Sequence, residues 1–401
     1  SIPKYSALDV TLTVATIALC GFYFRHTHHF VQLAYIGPGS GFAFISSFLT
    51  LVVGFFASVL SFLSWPFRIA WRTLRRHKGF RDARVKKAIF LGLDGLDPRL
   101  TERFIAEGKM PNLKKLAESG SYHRLRTTYP ALSPVAWSTF ATGVNPAKHN
   151  IFDFLDRSLK SYLPQLSSAR INKPKRVLHI GRYRIPTSGA TVSLLRKSKP
   201  FWKTLGEHGI GCTVLRIPIT FPPEKFDGKM LSAMSTPDLK GTQGSFSQFT
   251  TRIETATYEN GSRYPLRRVK NGFEGIIEGP QDSFIDGEPN LHIPFRLVEK
   301  ENILTLHVQE HRCKLQRSEY TDWLQLSFRT AVGAKATGIA RFMLTENDSE
   351  CSLYMSPIHI DPERPALPIS HPSYYSKYLS RLICSYATYV THEETWALNE
   401  V

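Results

Sequence analysis

Hydrophobic and polar positions divide this chain into four stretches. From Gly41 to Pro66 there is no charged residue, and Phe, Leu and Val dominate. The run is long enough to cross a bilayer as a helix, with Trp65, Phe67 and Trp71 as an interfacial belt. A shorter apolar run, Val10 to Phe24, follows Asp9 and reads as a first span or as the core of a signal peptide. The histidines of Arg25-His-Thr-His-His29 between the two runs fit a polar loop. From Ala88 the pattern alternates. Strands are expected at Ala88–Leu93, Tyr122–Thr128 and Cys212–Ile217, and helices at Pro98–Ala106, Pro111–Glu118, from Ser133, and at Pro200–His208. Such alternation predicts an α/β fold, a mainly parallel sheet with helices on both faces. After Pro223 short strand-like runs take over: Ile303–Val308, Trp323–Phe328, Ala340–Leu344 and Ser352–Met355. Pro362 to Pro372 reads as a crossover and Tyr374–Tyr386 as a returning helix. The expected organisation is a membrane part over 1–66 (spans 41–66 and 10–24), a basic linker over 67–87, the first part of an α/β core over 88–223, a β-rich insertion over 224–360, and a truncated return to the core over 361–401.

Composition changes this picture little. The 401 residues are 42% apolar and 21% charged, ordinary for a globular protein. Five scattered cysteines show neither zinc spacing nor a disulfide framework. The net charge of +18 raises nucleic acid as a partner, but its distribution argues against one. Nine Lys and Arg lie between Arg68 and Lys87, directly after the apolar run, and read as a collar on anionic lipid heads. A second cluster, Arg170 to Lys199, reads as a solvated face or as an attractor of anionic substrate. The positive-inside rule puts the collar and the chain beyond it on the cytoplasmic side of a bacterial inner membrane, with a periplasmic or extracellular placement as the rival.

Two residues carry the candidate chemistry. The apolar run Ala88–Leu93 stops at Asp94, and the carboxyl end of a strand is where open α/β sheets place ligands. Ser133 precedes Pro134 at the head of a helix, which reads as N-cap and N1, and such a start favours a phosphate-like anion. An ordinary strand-end acid and an ordinary cap explain the same residues, so spacing alone leaves both readings open.

The ordered blocks Phe90-Leu-Gly-Leu-Asp-Gly-Leu96, Met110-Pro-Asn-Leu-Lys-Lys-Leu-Ala-Glu-Ser-Gly120, Thr128-Tyr-Pro-Ala-Leu-Ser-Pro134, Thr139-Phe-Ala-Thr-Gly143 and Asn145-Pro-Ala-Lys-His149 decide between them. Together they resemble the opening of the alkaline-phosphatase superfamily, in its type I phosphodiesterase/nucleotide pyrophosphatase branch. Ala34–Gly41, Pro237–Gly244 and Ile360–Pro365 are similar to a bacterial subgroup of membrane-linked phosphohydrolases/phosphomutases. The resemblance implies a membrane-anchored hydrolase of phosphate esters that works through a phosphoseryl intermediate. Asp94 would be a metal ligand, and Ser133 both nucleophile and metal ligand. Two divalent cations are implied, zinc first and manganese second.

Two departures stand out. Asn150 occupies a position that is usually glycine, and Asn tolerates the left-handed conformation. The superfamily's second-half ligands (an Asp followed by a His, an Asp-His pair and a late His) have no match between Thr250 and Val401. His359, Asp361 and His371 are weak substitutes, set among prolines in a loop-like stretch. The chain is therefore expected to lack its second half-site and to be inactive alone. Phosphoryl transfer to a lipid or envelope glycan, and a non-catalytic membrane scaffold, are the alternatives.

Overall fold

The computed structural model describes residues 55–56, 58–60, 62–67, 70–71 and 74, and residues 84–388 apart from 175, 189–190, 235, 253–260, 302 and 348–349. The chain divides into two units, Ser1–Thr73 and Leu74–Val401. In the first unit the described residues are helical and expose Phe55, Leu60, Phe62 and Trp65. Among the described residues no helix is long and apolar enough to cross a membrane. Residues 10–24, the histidine loop after them and much of the expected span 41–66 lie outside the described residues.

The second unit starts with helices set by local signals. Helix α1 (Pro98–Ala106) opens at Asp97, whose side chain accepts a hydrogen bond from Leu100 N at 2.9 Å, with proline in the first turn. Helix α2 (Pro111–Ser119) also begins at a proline. Helix α3 (Ser133–Thr142) ends at left-handed Gly143 (φ 66°). The single turn α4 (Pro146–His149) ends at Asn150, which takes the left-handed conformation (φ 64°) that the usual glycine would supply.

Three two-stranded antiparallel pairs follow: β1 (Leu155–Arg157) with β2 (Pro164–Leu166), β3 (Ala169–Asn172) with β6 (Thr191–Leu194), and β4 (Val177–Ile180) with β5 (Tyr183–Pro186). Helix α5 (Phe201–Glu207) leads to β7 (Cys212–Ile217), which pairs in parallel with β8 (Gly228–Ser232). Trp202, Val214, Met230 and Ala141 form the core here.

The larger core belongs to the β-rich part. Strand β9 (Phe246–Thr250) pairs in parallel with β10 (Gly261–Pro265). A five-stranded antiparallel sheet runs β11 (Arg267–Val269), β12 (Gly272–Gln281), β13 (Asn290–Lys300), β14 (Ile303–Val308) and β15 (His311–Lys314). Next come β16 (Leu324–Arg329), β17 (Lys335–Ala340), β18 (Phe342–Asn347), β19 (Cys351–Met355) and β20 (His359–Ile360). Strands β16, β17 and β20 make a third sheet, and β18 and β19 join β9 and β10. Alternate residues of these strands meet in one cluster that includes Phe249, Ile277, Phe295, Leu306, Phe328, Phe342 and Leu353. Burial at alternate positions is the strand period of two at work. Strand β21 (Ser370–His371) then joins β8, and helix α6 (Tyr374–Ile383) closes the described chain.

Several expectations change. Among the described strands only β7–β8 and β9–β10 pair in parallel, so the molecule is sheet-rich and mostly antiparallel rather than mainly parallel with helices on both faces. A run of apolar residues does not distinguish the two pairings. Ala88–Leu93 and Tyr122–Thr128 pair with no strand among the described residues, and Leu91 (82%) and Leu125 (94%) are exposed. A strand exists only where a neighbour takes its backbone hydrogen bonds, and these two segments have none. The last helix ends at Ile383 rather than Tyr386, because Cys384 turns left-handed (φ 67°).

Candidate active site

The site is built where two side-chain periods meet. Along the chain from Phe90, alternate residues touch helix α3. The Phe90 ring lies 6.4 Å from Phe140. A Cβ on Gly92 would sit 2.3 Å from Trp137 Cη2. Asp94 meets Ser133. Positions 90, 92 and 94 share one side of an extended chain, and 133, 137 and 140 form one stripe of a helix. Glycine at 92 is required because the Trp137 ring occupies the space of any larger side chain. Phe201 of α5 backs the contact, with its ring 6.0 Å from Phe90 and 5.6 Å from Phe140.

This packing brings together the two residues expected from the sequence. Ser133 Oγ donates to the Asp94 carboxylate, 3.1 Å from Oδ1 and 3.0 Å from Oδ2. Trp137 Nε1–H donates to Asp94 Oδ1 at 3.1 Å. Asp94 is exposed and Ser133 half-buried. The cap assignment moves by one residue: Leu132 is the N-cap and Ser133 the first helical residue, and no side chain caps the helix. The serine hydroxyl is therefore not spent on the backbone, and the ordinary-cap reading fails. The anion-binding expectation narrows too. Val135 N–H is bonded to Leu132 O at 3.1 Å and Pro134 has no N–H, so the donor nearest the hydroxyl is Ser133's own amide, aided by the helix dipole.

Behind the helix, His149 is buried. Its Nδ1 accepts from Ile151 N at 3.2 Å, which leaves Nε2 to donate to Thr139 Oγ1 at 2.9 Å. Burial lowers its pKa, and the nearby Arg196 charge adds to the effect. His149 ties the loop after α4 to α3. Arg196 is itself buried, with Nη2 2.5 Å from Glu224 and its guanidinium 5.5 Å from the Trp202 ring. The basic cluster 170–199 is thus divided in use: Arg196 is internal, while Lys173 and Arg184 pair with Glu288.

The weaker metal candidates separate. His359 is buried on β20, and Asp361 is buried and accepts from Gln325 Nε2 and Glu363 N. His371 lies on β21, with Nε2 3.0 Å from Phe226 O. His359 and the adjoining Asp361 lie at the β17–β20 pairing and His371 at the β8–β21 pairing, in short strands and at their ends rather than in a loop, because β17 and β8 recruit the proline-rich stretch by backbone pairing. Pro237–Gly244 is a turn fastened by buried Asp238, which accepts from Thr242 N at 2.8 Å.

Sequence reasoning missed Trp137 and Gly92. The signal was present as a period of two in one segment and steps of four and three in the other, but only contact shows that they interlock.

A hydroxyl held by a carboxylate at the start of a helix sits within proton-transfer distance of a base. The family model for type I phosphodiesterase / nucleotide pyrophosphatase matches residues 88–291, about half of the chain, and the chain belongs to that family. It is accordingly a hydrolase acting on phosphate esters, in a family consistent with the alkaline-phosphatase superfamily. Comparison with curated proteins and with solved structures gives no match.

The family generally depends on divalent cations, commonly zinc. Asp94 and Ser133 offer adjacent oxygen donors that fit a share of one cation's shell. Among the described residues no group of three or more His, Cys, Asp or Glu could hold a metal ion, so Asp94 and Ser133 are only part of a donor set.

Proposed function

We propose that this protein cleaves phosphodiester or pyrophosphate bonds with Ser133 as the nucleophile. The observation that carries this reading is the Ser133 hydroxyl held 3.0 Å from Asp94 Oδ2, free of any capping role. In the reaction Ser133 Oγ attacks phosphorus in line, its proton passes towards Asp94, and the alcohol or phosphate leaving group departs. The leaving group takes up that proton, and water then attacks the same phosphorus, breaks the P–Oγ bond and frees the phosphate product, which restores the Ser133 hydroxyl. Trp137 holds the carboxylate in place through Nε1. A divalent cation bound at Asp94 and Ser133, zinc first and manganese second, would lower the serine pKa and neutralise charge on the phosphoryl oxygens. The remaining ligands of a two-cation site would come from outside the described residues.

Turnover of bis(p-nitrophenyl) phosphate with added zinc or manganese tests the assignment. Ser133→Ala should lower it by about a thousandfold or more, and mass spectrometry should find a p-nitrophenyl phosphate adduct on the Ser133 peptide of the wild type only. Undiminished turnover by the alanine variant sinks the nucleophile assignment.

The reading includes a membrane-held enzyme, in which the apolar residues before Arg68 enter the bilayer and the Arg68–Lys87 collar meets anionic lipid. It is supported by the exposed aromatic and aliphatic side chains of the described helical residues 55–56, 58–60 and 62–67. The collar puts the catalytic unit on the cytoplasmic side. A reporter fused at residue 90 that is active only outside the cytoplasm overturns that placement.

A further inference from the structure

We propose a second ligand site on the outer face of the five-stranded sheet, for an organic anion with an apolar body. A cavity of about 780 Å³ opens there, within the range of small-molecule sites. Its lining includes none of Asp94, Ser133 and Trp137. The floor is apolar: Ile276 and Pro294 stand opposite each other in register on β12 and β13, and Ile276 is 56% exposed.

Around this floor the polar side chains form cross-strand rows. Arg267 faces Glu274, Glu274 faces Arg296, and Arg296 faces His307. In the next polar row Glu278 faces His292. Both acids are already engaged. Arg296 Nε donates to Glu274 at 2.6 Å. Tyr264 donates its hydroxyl hydrogen to Glu278 at 2.7 Å, and the Asn290 amide donates to the same carboxylate. The donors left over are of one kind. Among the described residues Arg267 makes no ion pair, although it faces Glu274, and neither His292 nor His307 is hydrogen-bonded. An imidazole carries an N–H in either protonation state, and a guanidinium fork matches the oxygens of a phosphate or carboxylate. The two histidines and two glutamates do not gather into a metal-holding group.

Ile276 thus stands bare between Arg267 and the two histidines on one cavity wall. An anionic head on Arg267 and the histidines, with an apolar body over Ile276 and Pro294, satisfies both halves of the surface. Such an anion could be a lipid headgroup or a soluble phosphate ester.

Calorimetric titration of the full chain separates these sources. The probes are dihexanoyl phosphatidate and adenosine monophosphate, with inorganic phosphate as the head-only control. One organic probe should bind saturably and more tightly than phosphate, and the one that does identifies the source. Arg267→Ala should weaken it by about tenfold, and Ile276→Glu, on an exposed position, should abolish it. Ser133→Ala should leave it unchanged, which keeps this outcome distinct from that of the catalytic assignment. The proposal falls if neither organic probe binds at about 1 mM, or if binding is indifferent to Arg267→Ala and Ile276→Glu.

Discussion

Strands β12 to β14 and the segment Ala88–Leu93 carry similar apolar signals and meet opposite fates. In β13, Ile293, Phe295 and Leu297 are buried while the residues between them face outward. They pack beside Ile277 of β12 and Leu306 of β14. In the earlier segment Ile89, Phe90 and Leu91 are all more than half exposed, and among the described residues the side in use is the one that holds Phe90, Gly92 and Asp94 against α3. An apolar run states a preference for burial, and its partners decide whether that preference is met. The first region has two neighbouring strands and facing sheets. The second has helix α3, with Phe201 of α5 against Phe90, and spends that contact on aiming a carboxylate at a serine.

Mutation of the two regions should separate them sharply. Phe328→Ala, at a fully buried position of the large core, should destabilise the protein by about 3–5 kcal/mol in denaturant unfolding. Leu91→Ala should change stability by no more than about 0.5 kcal/mol. Equal losses would mean that the exposed segment is covered in solution, and the contrast would collapse. A smaller effect is expected at the helix contact. Gly92→Ala forces the Trp137 ring aside and should cost about 1–3 kcal/mol, with altered Trp fluorescence and reduced turnover as Asp94 loses its Nε1 donor. Normal turnover in that variant would show that the tryptophan does not position the carboxylate.

The smallest effect is on pH dependence. The His149 pKa is lowered in the folded state, so below its ordinary value of about 6.5 the unfolded chain takes up the proton first. Its contribution to stability is therefore complete above that pH and is lost as pH falls towards the depressed value. His149→Gln should flatten the acid limb of the stability–pH curve, and an unchanged limb would remove His149 from the account.

Much of the second unit was legible because its signals are local. Pro98, Pro111 and Pro134 start helices through their fixed backbone dihedral, and the three helices lie where these residues put them, although Ser133 is the first helical residue rather than the cap. Strand β7 and strand β14 match their apolar runs to the residue. The longest strands, β12 and β13, contain Gly275, Gly279, Pro280 and Pro294, and escape a search for uninterrupted apolar runs. Their pairing, not their propensity, makes them strands. The weak candidates come apart for a related reason: nearness in sequence puts His371 close to His359 and Asp361, while backbone pairing carries His371 to β8 and leaves the other two beside β17.

By itself the sequence determined the helix starts, the left-handed turn at Asn150, the residues Asp94 and Ser133, and the family blocks around them. Each of these rests on a few adjacent residues and the dihedral angles they favour. The tertiary structure alone decided that the sheets are mostly antiparallel, that Ala88–Leu93 stays unpaired among the described residues, and that the Ser133 hydroxyl reaches Asp94 instead of capping its helix. Those outcomes depend on contacts between distant segments, where one ring, Trp137, fits only because residue 92 is glycine.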